Sequence, residues 1–383
     1  MTDDLRLHGA LIGRPGARAQ LNTPVLVIDR EALDRNLARM ADHARSRGVA
    51  LRPHAKTHKS VDLARRQLAA GAIGVCCAKL GEAEALADGG VTRLLITSPV
   101  VSAPAIRRLI ELARRCDELM IVVDHPDNAR ALAAAAAGST PGSPLGVLID
   151  IDPGLRRTGV ASPAAALELA QLIRSLDRLA YRGVQMYCGM HQHITGFAER
   201  DAAIRERTQY LQSILALLAD HGLAPPIVTG SGTGTHRIDG ALAVYTEWQV
   251  GSYLFMDRQY RECDLTGGDP APFEYALFVD ARVVSCNHPG MATIDAGFKA
   301  FATDGGPPVI VDGAPAGASY RFMGDEHGAV IDPAGVHTWR LGDLVRLAVP
   351  HCDPTVNLYD SYHVFAGDTL EAIWPVSARG RTR

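Results

Sequence analysis

Lysine is scarce in this chain: four of the 383 residues, at positions 56, 59, 79 and 299, against 35 arginines. Surface charge is therefore left to arginine, and each lysine invites a chemical question, because only the amine can lose its proton and attack a carbonyl. Long apolar runs are also lacking. Those present are strand-length or broken by charge, and Met1-Thr2-Asp3-Asp4-Leu5-Arg6 contains no apolar signal core. A soluble, cytoplasmic protein without membrane partners is expected. The formal charge of -3 and pI near 6.5 offer no broad basic surface, which excludes nucleic acid as a partner. Seven cysteines, odd in number and without a CxxC pair, suggest neither a disulfide framework nor a zinc ribbon and suit a reducing compartment.

What is present is alternation. From Thr23-Pro24 onward, strand-like runs at 25–29, before His54, and at 73–77, 93–97, 119–124, 146–150, 181–187 and 226–229 alternate with helix-period segments. Roughly eight strands joined by helices through short loops predict parallel pairing, hence an α/β fold with a closed (β/α)8 barrel over residues 23–264. After Asp264 the texture changes to short β-rich runs at 273–284, 292–295, 309–312, 328–331 and 344–349, split by Gly, Pro and Asp turns with no clear helix. These predict a second, all-β domain of residues 265–383, with 1–22 at its edge. The alanine-rich 131–137 reads as a helix end and 138–144 as a loop.

In such a barrel, chemistry gathers on the loops at the C-terminal strand ends, and the polar clusters fall there. Arg52-Pro53-His54-Ala55-Lys56-Thr57-His58-Lys59 holds two of the four lysines. Gly230-Ser231-Gly232-Thr233-Gly234 follows an apolar strand, where glycines let backbone N–H groups converge on an anion. It has neither P-loop nor dinucleotide spacing, and its plain alternative is a flexible turn. Gly251-Ser252-Tyr253 would close the cup. A lysine beside a monophosphate cup is what pyridoxal 5'-phosphate requires, with Lys56 as its carrier. Arg157 would hold the cofactor's phenolate oxygen or phosphate, unless it is a surface salt bridge.

Near the far end lies Pro350-His351-Cys352-Asp353-Pro354-Thr355-Val356-Asn357. Read as extended chain, it places His351 and Asp353 on one face and Cys352 on the other. Imidazole plus carboxylate with open positions suits a divalent metal, Mn2+, Co2+, Mg2+ or Zn2+, acting as a Lewis acid. A surface turn is the plain alternative.

Together these motifs, with Gly81-Glu82-Ala83-Glu84, Asp152-Pro153-Gly154, Arg157-Thr158-Gly159 and Asp325-Glu326-His327-Gly328, resemble the fold-type III pyridoxal phosphate enzymes. Within them, the chain is similar to the D-threonine aldolase and D-serine dehydratase group. The resemblance implies an alanine-racemase-like barrel with a C-terminal β domain, a homodimer, and Lys56 as the Schiff-base lysine, with Lys59 outward or supporting. It also implies His351 and Asp353 as metal ligands. The similar dehydratases place a cysteine two residues after the histidine; here that position is Asp353. A hard carboxylate favours Mn2+-like ions over Zn2+ and an aldolase over a dehydratase.

The implied reaction is retro-aldol cleavage of a D-β-hydroxy-α-amino acid, D-threonine or a relative, to glycine and an aldehyde. The metal acts on the β-hydroxyl, and His193 by preference, or His191, takes its proton. Tyr187 would pack on the cofactor ring, a core role being its alternative. D-3-Hydroxyaspartate is an alternative substrate, since an arginine could hold its second carboxylate. A dehydratase, with Lys56 removing the Cα proton, is the nearest rival, and an amino-acid racemase, which needs no metal, a more distant one.

Overall fold

The computed structural model describes residues 2–137 and 144–383, so most of the loop expected over 138–144 lies outside the described residues. The strands are β1 (Val25–Asp29), β2 (Ala50–Leu51), β3 (Val75–Cys77), β4 (Arg93–Ile96), β5 (Glu118–Val123), β6 (Leu145–Asp150), β7 (Leu179–Met186), β8 (Ile227–Gly230) and β9 (Glu247–Trp248). Strands β2 to β9 pair in parallel in the order β2-β9-β8-β7-β6-β5-β4-β3. A bridge between His54 and Cys76 closes the ring. Strands such as β6 are buried at every residue because helices cover the outside and packed side chains fill the inside.

The covering helices follow from period and caps. In Ala103–Ala113 the apolar Ile106, Leu109, Ile110 and Leu112 are buried, while the Ser102 side chain accepts from the Ala105 N–H and a proline occupies the first turn. At the floor of the barrel the buried Arg52 donates to Glu247 at 2.9 and 3.1 Å and to Glu118 at 3.1 Å. Its Nη1 passes 2.3 Å from where a Cβ on Gly74 would stand, so only glycine fits there.

One strand was misplaced by periodicity. Val25–Asp29, read above as the first barrel strand, pairs antiparallel with β10 (Leu277–His288) and parallel with β16 (Ser361–Ala366) in the other sheet. An unbroken apolar run buries both faces in either setting, so its composition cannot choose between them. The barrel is completed instead by the two-residue β9.

The second sheet has nine strands, adding β11 (Met291–Ile294), β12 (Val309–Asp312), β13 (Ser319–Phe322), β14 (Gly328–Ile331), β15 (Leu344–Ala348) and β17 (Thr369–Pro375). Its main path runs β13-β14-β11-β10-β1-β16-β17, with β15 joining β10 to β12. The N-terminal residues pack on it as helical turns, Leu11, Ala17 and Leu21 meeting Val25, Phe278 and Phe365 in one apolar cluster. Among the described residues no helix is long and apolar enough to cross a membrane.

Candidate active site

Lys56 sits just beyond β2 in a single 3-10 turn, Ala55–Thr57, fixed by the Lys56 N–H donating to His54 Nδ1 at 3.3 Å. Its Nζ donates to Asp353 Oδ1, joining barrel to β domain. Burial alone would lower the Lys56 pKa; Asp353, Tyr187 and the hydrogen bond to Asp353 outweigh it and raise it. Asp353 is correspondingly held down at about 2, its burial being overcome by Lys56 and His351. Lys59 is not outward. Buried, with φ +50°, it pairs with Glu82 at 2.6 Å, and Glu82 also accepts from the Ala78 N–H. It therefore ties the lysine stretch to the next strand end.

The glycine run after β8 and the loop after β9 meet where the Tyr253 N–H donates to Thr233 Oγ1 at 2.9 Å. Glycine is required sterically: a Cβ on Gly232 would stand 2.4 Å from Gln192 Oε1, one on Gly234 2.1 Å from Gln192 O, and one on Gly251 2.6 Å from Thr57 Oγ1. Ser231 adopts φ +68° to make the bend. Among the described residues the Thr233 and Ser252 N–H groups donate to no protein acceptor, and the buried Thr57 Oγ1 has no partner. Unpaired donors on touching loops fit a phosphate. The Tyr253 ring points the other way, its hydroxyl accepting from Gln67 at 3.4 Å and its ring lying against Phe273 in the core.

After β6, Asp152 Oδ1 accepts from the Gly154 and Arg156 N–H groups at 2.9 and 3.0 Å, and Thr158 donates to Asp150 at 2.7 Å. This folds the loop so that the Arg157 guanidinium lies 6.0 Å from the Tyr187 ring centre. Arg157 and Tyr187, with Asp150 and Gln185, line a small cavity at the barrel mouth. Tyr187 lies in the field of Lys56, Asp353 and Arg157; burial first, and Asp353 after it, raise its pKa. A flat ring beside an arginine and an amine fits a planar, anionic aldehyde cofactor. Lys56, the cup and this wall thus suit pyridoxal phosphate together.

The segment after β15 departs from expectation. Cys352–Val356 is a helical turn, not extended chain, with His351 as its N-cap. The two side chains still converge because the cap residue itself is extended and Asp353 lies in the first turn, placing His351 Nε2 3.9 Å from Asp353 Oδ2. That oxygen is buried without a hydrogen-bond partner, as an oxygen reserved for a cation would be. Cys352 turns away, its N–H donating to Asp257 Oδ2 at 3.0 Å and its Sγ lying 3.4 Å from Met256 O. Residues 256–257, just after the cup, thereby anchor the turn to the barrel.

His193 belongs to this cluster. Its ring lies 4.4 Å from that of Tyr260, and burial first, then the charges of His351 and Lys56, lower its pKa to about 4. It is therefore neutral at neutral pH and can accept a proton. His191, two residues earlier, feels Arg207 instead and is not drawn into the cluster. Sequence reasoning missed Asp257 and Asp304, whose Oδ2 lies 2.7 Å from His351 Nδ1. Both sit in turn-like segments where aspartate is common, and only the fold brings them to His351. Among the described residues the one three-ligand group is Asp4, His8 and His363. There the Asn22 N–H donates to His8 Nε2, so Nδ1 must carry the proton shared with His363 at 2.8 Å, and three of the four ring nitrogens are already committed.

Residues 28–259 match the family model described as alanine racemase, N-terminal domain, and 276–365 match a putative serine dehydratase domain. The chain is 38% identical to a 3-hydroxy-D-aspartate aldolase of Paracoccus denitrificans over 95% of this chain and 93% of that one. It is 39% identical to a D-threonine aldolase of Arthrobacter, over 95% and 94%. Among solved structures, D-threonine aldolase from Filomicrobium marinum superposes with a TM-score of 0.89 at 38% identity, covering 95% of this chain and 97% of that one. D-threo-3-hydroxyaspartate dehydratase from Delftia sp. HT23 gives 0.82 at 28% identity, covering 94% and 98%.

Proposed function

Because the chain belongs to the alanine racemase N-terminal domain family, we propose that it is a pyridoxal-phosphate- and divalent-metal-dependent aldolase. It cleaves D-threonine and related D-3-hydroxy-α-amino acids to glycine and an aldehyde. The observation that carries this reading is the direct contact of Lys56 with Asp353 across the two domains, with His351 and the neutral His193 beside it.

Pyridoxal phosphate supplies the electron sink for the carbon left when the Cα–Cβ bond breaks. A divalent ion at His351 and Asp353 supplies a Lewis acid for the β-oxygen. Mn2+ suits this imidazole–carboxylate pair best, with Co2+, Mg2+ and Zn2+ as alternatives. The chain's own residues do the rest. Lys56 is the attachment amine; Thr233 and Ser252 present free N–H groups to the phosphate, with Ser231, Gly232 and Gly251 shaping the cup and Tyr253 contributing backbone only. Arg157 and Tyr187 orient the ring. His193 takes the β-hydroxyl proton, and its lowered pKa keeps it available as a base.

D-3-Hydroxyaspartate is a second reading, favoured because the relative named for it is as alike in sequence as the one named for D-threonine. A dehydratase is disfavoured by the carboxylate at position 353. Incubating D-threonine with enzyme, pyridoxal phosphate and Mn2+ decides: glycine plus acetaldehyde supports the aldolase, and 2-oxobutyrate with ammonia alone sinks it. Retained activity in His351→Ala under chelation favours a racemase, and an unchanged near-visible absorbance in Lys56→Ala moves the cofactor elsewhere. A cytoplasmic homodimer completes the reading. All seven cysteines are unpaired, and the exposed Phe298, stacked on Phe322 at 4.6 Å, leaves apolar surface for a second copy. Light scattering on the eluted protein tests the dimer.

A further inference from the structure

We propose that Asp304 is a positioning residue for the metal, holding His351 in the tautomer and orientation that present Nε2 to the ion. This rests on the reading that His351 and Asp353 bind a divalent cation. Asp304 Oδ2 lies 2.7 Å from His351 Nδ1. An ionised carboxylate only accepts, so Nδ1 carries the hydrogen and the lone pair is left on Nε2. That nitrogen faces the unpartnered Asp353 Oδ2 at 3.9 Å. Two ligands each roughly 2.1 Å from one ion stand roughly 3–4 Å apart, so the pair is spaced for a shared cation.

An exposed aspartate–histidine pair contributes little by itself. What distinguishes this one is the clamping of its backbone. The Ala302 N–H donates to Thr355 Oγ1 at 3.0 Å, and that hydroxyl donates to His351 O at 2.7 Å. On the other side, Gln259 donates through its N–H to Pro350 O at 3.3 Å and through Nε2 to Asp304 O at 3.5 Å. Gly305 lies so close that a Cβ would stand 2.7 Å from Pro350 O. The loop carrying Asp304 and the turn carrying His351 are therefore stitched together on both sides of the histidine. The carboxylate is the outer partner of a carboxylate–histidine–metal arrangement.

Loss of such an outer partner typically costs 10–100-fold in metal affinity. The test titrates the pyridoxal-phosphate-loaded enzyme with MnCl2 and follows free Mn2+ by electron paramagnetic resonance, for the wild-type chain, Asp304→Ala, Asp304→Asn and His351→Ala. Asp304→Ala is expected to weaken Mn2+ binding about 10–100-fold with near-visible absorbance and Tm unchanged. Asp304→Asn keeps an oxygen acceptor and is expected to recover most of the loss. Binding by Asp304→Ala within about twofold of wild type overturns the proposal. So does equal weakening in both Asp304 variants, since loss of charge alone would then account for it. If His351→Ala still binds Mn2+ as tightly as wild type, the metal reading itself is what fails.

Discussion

Lys56 Nζ donates to Asp353 Oδ1, so the amine that would carry the cofactor and the carboxylate that would hold the metal are each other's counter-ion in the free chain. Only an unprotonated amine attacks an aldehyde, and burial alone would favour that form; Asp353 works against it. Asp353→Asn is therefore expected to load pyridoxal phosphate faster at neutral pH, by about tenfold or more, while losing most aldol cleavage. Stopped-flow absorbance on cofactor-free protein measures the loading. An unchanged or slower rate refutes the counter-ion argument.

The same residue should set metal choice. Replacing a hard carboxylate by a soft thiolate in Asp353→Cys is expected to move the activity ratio from Mn2+ toward Zn2+, by about tenfold or more. The neighbouring Cys352 does not compete, because it is buried with its Sγ against Met256 O. Assays of chelated, re-metallated protein check this. An unaltered metal order means that Asp353 is not a ligand.

Lys56 was legible in the sequence because lysine is rare and a polar stretch after a strand is where a barrel puts chemistry. The His351 and Asp353 pair was legible too, though for the wrong reason: their meeting depends on a helix cap, which an i, i+2 pattern does not reveal. Glycine in the cup was read as backbone freedom for an anion. The structure adds that Gln192 lies against Gly232 and Gly234, a packing fact carried by residues some forty positions apart in the chain. Periodicity puts Val25–Asp29 in the wrong sheet, because its partners at 277–280 and 363–365 are chosen by tertiary packing. Asp304 left no trace for the same reason, being 47 residues from His351.

Buried histidines should govern acid stability. Burial lowers His54 and His236 to about 3, and His58 and His363 to about 4, against 6.5 when unfolded. Between pH 6.5 and 4 the unfolded chain binds more protons at these sites, so stability falls as pH falls. Asp150 and Asp239, raised by burial to about 6, act oppositely between 6 and 3.8, where the folded chain binds more. Four groups outweigh two. Stability is expected to drop from pH 7 to 5, with a slope of roughly 3 kcal/mol per pH unit from these groups. Calorimetry at stepped pH measures it, and a Tm that holds or rises on acidification contradicts the assignment.

Gly234→Ala tests the cup without touching a polar side chain. The new Cβ would stand 2.1 Å from Gln192 O, a backbone atom that no rotamer change can move. Gln192 is fixed by the Gly234 N–H donating to its Oε1 at 2.9 Å and by its own Nε2 donating to Thr235 and Cys188. Relief must therefore shift the segment that continues into His193, or the cup itself. Overpacking of this kind costs about 1–3 kcal/mol. Weaker pyridoxal phosphate binding, by about tenfold, and a lower Tm are expected together. Gly196→Ala is the control: its Cβ would meet nothing nearer than Glu199 Cβ at 4.0 Å, and its φ of -76° suits any residue. As the N-cap of the following helix it should lose up to about 1 kcal/mol of stability, with cofactor affinity unchanged. Equal effects of the two substitutions on cofactor affinity would show that the cup does not depend on the close approach of Gln192.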